Sequence, residues 1–144
     1  MGKTYLSRFF FFLVIGWWSL LDVEATAYSL RQFSSKNGLS NSAILSICQD
    51  CDGLIWIGSC DGLNVFDGTE LRLYKPVDVR NNLSGNWIDN IMEAEDHVLW
   101  IQTNYGLDRF DTHLQTVQRF KDFQDISCMA KTRENDVLVI KDDG

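Results

Sequence analysis

Four cysteines, two histidines and a set of closely spaced aspartates are the residues of this chain whose types could do chemistry. Cys48 and Cys51 have the C-x-x-C spacing of a redox dithiol or of half a zinc site. The second pair that a structural zinc site needs is missing. If the chain turns at Asp50–Gly53, Cys48 faces about Ile55, and Cys51 and Cys60 fall at opposite ends of the strand 54–59, too far apart for a bridge. Cys48, Cys51, Cys60 and Cys128 therefore read as small buried or turn residues. Asp50, Asp52, Asp61 and Asp67 could suggest a calcium loop, but they spread over three turns without the spacing or closing glutamate of an EF-hand. They read as turn formers. The serine and cysteine nucleophiles lack a nearby base, and His97 and His113 both fall at expected turns. We expect no catalytic residue, no metal site and no cofactor, and this chain does not read as an enzyme.

The elements that carry these residues follow from an internal repeat. Leu39–Gly68 (LSNSAILSICQDCDGLIWIGSCDGLNVFDG) returns as Leu83–Thr112 (LSGNWIDNIMEAEDHVLWIQTNYGLDRFDT), with 11 of 30 paired positions identical and no gap. Trp56 and Trp100, Ile44 and Ile88, Gly62 and Gly106, and Phe66 and Phe110 are each 44 residues apart. A period in that range marks a solenoid, a propeller or an array. Asp52-Gly53, Asp61-Gly62 and Asp67-Gly68 punctuate the first unit at hairpin spacing, and such dipeptides supply the positive φ that tight turns need. One unit is then a four-stranded antiparallel meander, a propeller blade. Trp56, Trp100, Phe66 and Phe110, with Gly62 and Gly106, are expected to be the structural core of the repeat rather than a ligand cage. Asn64 and Asp108 are expected to tolerate alanine at little cost.

In chain order, the first 27 residues read as a leader and not as fold. Lys3 and Arg8 give a basic start, Phe9–Leu21 an apolar run, and Ala25-Thr26-Ala27 a small-x-small cleavage site. The run is shorter than the roughly 20 residues a membrane helix needs. The mature start is placed at Tyr28 and the protein is expected to be exported. Tyr28–Phe33 alternates and carries aromatics, so it reads as an outer strand. Blade 1 spans about 39–76, with strands at 43–49, 54–59, 63–66 and 69–75 and with Pro76 closing the last. Ile44 and Ile47 have helical spacing; the short length before the turn favours a bulged strand. Blade 2 spans about 83–121, with strands at 87–93, 98–103, 107–110 and 114–120. His97 replaces Gly53 there, and Gln102 replaces Gly58. A truncated blade 3 covers about 126–144, in which Val137–Ile140 takes the place of Val98–Ile101 and valine stands where tryptophan was. The fold class is all-β, with about two and a half blades of an incomplete ring, and such a piece is not expected to be an autonomous unit.

The formal charge is −7, from 13 Lys+Arg against 20 Asp+Glu. That balance speaks against a nucleic-acid partner, which wants a basic face.

The string QDCDGLIWIGSCDGLNVFDG at 49–68, preceded by GLSNSAILSI, resembles the two-component-regulator propeller repeat. The resemblance covers nearly all of the expected mature chain. It implies the periplasmic sensor region of a hybrid two-component histidine kinase of the Bacteroides type, whose full-length form is anchored in the inner membrane. It further implies a ligand that is often a glycan fragment, further blades as covalent neighbours, and a homodimer through the full-length receptor. The other reading is part of an exported propeller enzyme, a lyase or glycosidase, whose catalytic residues lie in other blades.

Non-repeating loop residues are the candidates for contact with a ligand. The fourth-to-first and second-to-third connections of a blade share one rim, which here carries Asn41, Asn86, Trp87 and Tyr105. Aromatic rings stack on sugar C–H faces and amides bond hydroxyls, so a carbohydrate is the expected ligand class.

Overall fold

The computed structural model describes residues 29–74 and 82–142. The leader at 1–27, Pro76 and the final Asp143-Gly144 turn lie outside the described residues. Residues 32–144 form a compact unit distinct from residues 1–31, and every described strand belongs to it.

Strands β1 (Ile44–Gln49), β2 (Ile55–Ser59), β3 (Gly62–Phe66) and β4 (Leu71–Leu73) form one antiparallel sheet in sequence order. Strands β5 (Ile88–Glu95), β6 (Val98–Thr103), β7 (Gly106–Asp111) and β8 (Thr116–Phe120) form a second. Strands β9 (Ile126–Lys131) and β10 (Val137–Lys141) pair as a third. These are blades of a propeller fold. The first strand of each carries a bulge after its first residue, between Ile44 and Ser46, Ile88 and Asn90, and Ile126 and Cys128. The bulge accounts for the helical spacing of Ile44 and Ile47.

The turns form because aspartate side chains satisfy their backbone donors. Asp50 Oδ1 accepts the N–H groups of Asp52 and Leu54 at 3.1 and 2.9 Å, and Gly53 takes φ 82°. His97 occupies the same place in the second blade at φ 65°. At the β3–β4 turn, Asp67 Oδ1 accepts the Glu70 and Thr69 N–H groups and the Thr69 hydroxyl. Those donors, Glu70 first, hold the Asp67 carboxyl well below the usual carboxylate range. Asp111 does the same for His113 and Leu114. Gly106 needs its missing side chain twice over: φ is 138°, and a Cβ there would meet the Phe120 carbonyl oxygen at 2.8 Å.

The core lies between the first two sheets. Trp56 and Leu63 from one side pack with Ile88, Ile91, Leu99, Ile101 and Phe110 from the other. Phe110 meets Trp56 edge-on at 5.7 Å and Tyr74 at 4.9 Å, so an aromatic of blade 2 fills the space between two of blade 1. The inner strands are tied as well. Ser46 Oγ donates to the Ile88 carbonyl at 3.4 Å, and Gln102 Nε2 donates to the Ile126 carbonyl at 2.7 Å. Gly58, which Gln102 replaces, has no room for a side chain: a Cβ would lie 2.7 Å from Ile88.

Several expectations are corrected. Residues 29–33 form no strand. Strand structure requires a ladder partner, and here the chain instead packs Phe33 on Phe66 (4.9 Å) and enters a 3-10 helix at Ser35–Asn37 capped by Ser34. The outer strands are shorter than read, Leu71–Leu73 and Thr116–Phe120, because Asp67 and Asp111 draw residues 69–70 and 113–114 into their turns. Cys48 pairs with Trp56 and not Ile55, since the first turn holds three residues between Asp50 and Leu54. In the third blade the register shifts by one. Ile126 pairs with Lys141 as Ile88 pairs with Thr103, which places Leu138 and not Val139 at the Trp100 position.

Asn64 and Asp108 are also misjudged by the sequence reading: both are wholly buried. Asn64 Oδ1 accepts the Ser40 N–H at 2.9 Å while its Nδ2 donates to Ser40 Oγ (2.9 Å) and to the Ile57 carbonyl (3.2 Å). Asp108 accepts the Ser84 N–H and hydroxyl, each at 2.6 Å. These side chains hold down the link that carries the chain into each inner strand, and they cannot be lost cheaply.

Candidate functional site

The rim named in the sequence is built by two connections and two tight turns. Ser84, anchored on Asp108, leads through Gly85 and Asn86 to Trp87. The turn between β6 and β7 repeats that between β2 and β3. Thr103 Oγ1 donates to the Gly106 carbonyl and accepts the Tyr105 N–H, as Ser59 Oγ donates to Gly62 and accepts the Asp61 N–H. Asn104 then joins turn to link: its N–H donates to the Trp87 carbonyl at 3.2 Å, and its side-chain oxygen accepts the Trp87 N–H at 3.4 Å. Gly85 lets the two meet, since a Cβ there would stand 2.2 Å from Asn104 Oδ1 and 3.0 Å from the Tyr105 ring.

This arrangement brings Asn86, Trp87 and Tyr105 into one neighbourhood. Trp87 is 44% exposed and Tyr105 60% exposed, and the Trp87 indole N–H is held by Asp89 Oδ1 at 2.7 Å. Asn86 bridges to the first blade: its carbonyl accepts the Gly62 N–H at 2.6 Å, and its Nδ2 donates to Asp61 Oδ1 at 3.1 Å. Asn41 is different. It lies on the first blade's own link, and its Oδ1 accepts the Ala43 N–H at 2.8 Å, closing a local turn.

Tyr105 also lines a depression of about 380 Å³ with Ser84, Arg119, Lys121 and Gln124. A neighbouring hollow of about 230 Å³ shares Gln124 and is walled by Asp89, Asn104 and Asp125 among others. Arg119 is aimed by the Asn82 carbonyl, to which its Nε and Nη2 donate at 3.0 and 2.5 Å. An exposed phenol ring beside two cations, an amide and a hydroxyl can stack on a sugar face while pairing with an anionic group. Arg119, Lys121 and Gln124 escape the sequence reading, which takes only aromatic and amide residues on the rim connections into the first two blades and on the β6–β7 turn. Lys121 and Gln124 lie on the next fourth-to-first connection, which the same rim argument could have included, whereas Arg119 sits within β8 and carries no such signal.

At the opposite ends of the strands, the β1–β2 and β5–β6 turns bring Cys51, Asp52 and His97 together. The sequence assigned these residues only to turns. Cys51 and Cys128 are exposed, Cys48 and Cys60 half-buried, and none of the four is in a disulfide. Of the repeat residues, Trp56, Phe66, Gly106 and Phe110 are buried, and Gly62 and Trp100 are half-buried. Trp100 stacks on Phe120 at 5.5 Å, in place of the full burial of Trp56.

Residues 38–61 match the family model described as two component regulator propeller. Histidine kinase P4 of Formosa agariphila is 36% identical over 55 residues, 38% of this chain and 4% of the kinase. The extracellular domain described as that of a hybrid two component system of B. thetaiotaomicron superposes with a TM-score of 0.67 at 25% identity, covering 78% of this chain and 18% of that one. A second such domain from that organism gives a TM-score of 0.63 at 22% identity, over 84% of this chain and 19% of its own. That second likeness speaks for the fold alone. The chain spans a small part of the length of each of these relatives.

Proposed function

We propose that this chain, whose residues 38–61 match the two component regulator propeller model, forms part of the extracytoplasmic ligand-sensing propeller of a hybrid two-component receptor. Residues 1–27 then direct export to the periplasm, and the full-length receptor is anchored in the inner membrane and signals as a homodimer. Further blades cover the apolar faces that this chain leaves exposed, at Ile44 and Ile47 on β1 and at Leu138 and Ile140 on β10. The 36% identity to a histidine kinase over 55 residues carries the signalling part of this reading.

The ligand is a carbohydrate, bound at the rim of Asn86, Trp87 and Tyr105, with Asn41 on the equivalent link of the first blade. Two exposed aromatics held by hydrogen bonds beside a polar depression support this assignment. The cations Arg119 and Lys121 favour acidic over neutral sugars. Titration of the intact extracytoplasmic region with neutral and uronate oligosaccharides, followed by tryptophan fluorescence, tests it. Binding that Trp87→Ala and Tyr105→Ala each weaken about tenfold or more supports the rim. Undiminished binding in both variants places the ligand elsewhere, and absence of binding by every sugar removes the carbohydrate.

A further inference from the structure

The turns on the far side of the blades from that rim hold a set of side chains the sensing role does not use. Cys51 and Asp52 lie in the β1–β2 turn, and His97 lies in the β5–β6 turn of the next blade. His97 Nδ1 is 3.5 Å from Cys51 Sγ and 3.0 Å from Asp52 Oδ2. One donor atom from each of the three lies within 4.8 Å of the others.

These three donor atoms are close enough to converge on one small cation. Tetrahedral zinc, with bonds of about 2.3 Å to sulfur and about 2.0–2.1 Å to nitrogen or oxygen, sets its ligand atoms roughly 3.3–3.6 Å apart. Cys51 and His97 already stand at that spacing, and an ion entering between His97 and Asp52 would replace their 3.0 Å contact and part them by a few tenths of an ångström. The donor set is selective too. A thiolate with an imidazole excludes calcium and magnesium and suits zinc or its borderline neighbours. Cys51 and Asp52 are exposed and His97 half-buried, so an ion can enter without unfolding.

The second blade holds the histidine in place. Glu93 Oε1 accepts the His97 backbone N–H at 3.1 Å, and the Thr112 N–H and hydroxyl both donate to the His97 carbonyl. These contacts fix the backbone of the turn from which the ring projects. From that fixed backbone the His97 ring reaches across to both donors of the first turn.

We propose that Cys51, Asp52 and His97 bind a zinc-class divalent cation that clips the first turn of one blade to the first turn of the next. Three protein ligands leave a fourth position for water or for an added group. The site lies at the other end of the strands from the carbohydrate rim, so it does not depend on what the rim binds.

Cobalt(II) titration of the reduced intact extracytoplasmic region reads this directly. We expect one equivalent to produce a near-ultraviolet thiolate-to-cobalt band and visible bands of tetrahedral intensity, both displaced by zinc. Cys51→Ser should abolish the thiolate band. His97→Gly, which copies Gly53 of the first blade and so keeps the turn, should weaken cobalt binding at least about tenfold. Cys128→Ser should leave the spectrum unchanged. A thiolate band that survives Cys51→Ser, or affinity unaltered by His97→Gly, overturns the assignment, as does the absence of any band in the unsubstituted protein.

Discussion

Asn64 and Ser40 hold each other through two hydrogen bonds of 2.9 Å, one through the Ser40 backbone N–H and one through its hydroxyl. The link into an inner strand is thereby fixed to the third strand of its own blade. Alanine at 64 would leave the Ser40 N–H without its partner and remove the second donor to the Ile57 carbonyl, which keeps the backbone N–H of residue 64 in the β2–β3 ladder. We expect Asn64→Ala to cost about 1–3 kcal/mol, the cost of one orphaned buried group. Equilibrium urea unfolding of the intact protein measures it, and a loss below about 0.5 kcal/mol would sink this role for Asn64.

Asp108 makes the same attachment to Ser84 with a carboxylate instead of an amide. Burial raises its pKa, and the Ser84 hydrogen bonds only partly oppose the shift. A carboxyl whose folded pKa is raised contributes stability below its unfolded pKa, about 3.9, and loses it as pH rises through the folded value. Asp108→Asn copies the first blade and keeps both Ser84 contacts while removing the charge. The variant should unfold at higher urea than the unsubstituted protein at pH 7, and the difference should shrink towards pH 4. A gain that is independent of pH would mean that the carboxyl is not the cause.

Much of the architecture was legible because the repeat exposes its own logic. Asp-Gly turns at hairpin spacing give the strand pairs, and tryptophans 44 residues apart give the core. What escaped are side chains whose partner is distant in sequence. Asn64 looked like a solvent-facing polar residue because Ser40, its partner, is 24 positions away in a loop that carries no periodic signal. The third blade was read one residue out of register because its apolar run Val137–Ile140 fits either alignment, and only the bulge after Ile126 decides between them. Cys51 and His97 were assigned to turns correctly. That the two turns abut follows from stacking one blade on the next, which spacing within a blade does not reveal.

Trp56 and Trp100 occupy equivalent registers with unequal chemistry. The Trp56 indole N–H donates to Asp50 Oδ2 at 2.7 Å, a buried bond to a charged acceptor. Ala94 stands at the position of Asp50 in the second blade, and the buried Trp100 Nε1 has no hydrogen-bond partner among the described residues. Trp56→Phe should therefore cost about 1.5–3 kcal/mol more than Trp100→Phe, the range for a hydrogen bond to a charged group. Chemical denaturation of both variants provides the comparison, and equal losses would show that the Asp50 bond contributes nothing net.

Phe110 decides whether the first two blades behave as one unit. Its ring lies edge-on to Trp56 and tilted against Tyr74, both of the other blade, and it is wholly buried. Phe110→Ala should cost about 3–5 kcal/mol through the cavity it leaves. Phe110→Leu should cost less, because most of the apolar volume remains, although the aromatic pairings, about 0.5–1.5 kcal/mol each, are lost. The loss should also be directional. Amide exchange in β2 and β6, whose residues line the shared core, should quicken in Phe110→Ala, while the outer strand β4 should change little beyond the global loss of stability. Uniform acceleration through every strand, scaled only by the fall in stability, would show that the blades unfold as one body and that Phe110 does not act as a joint between them.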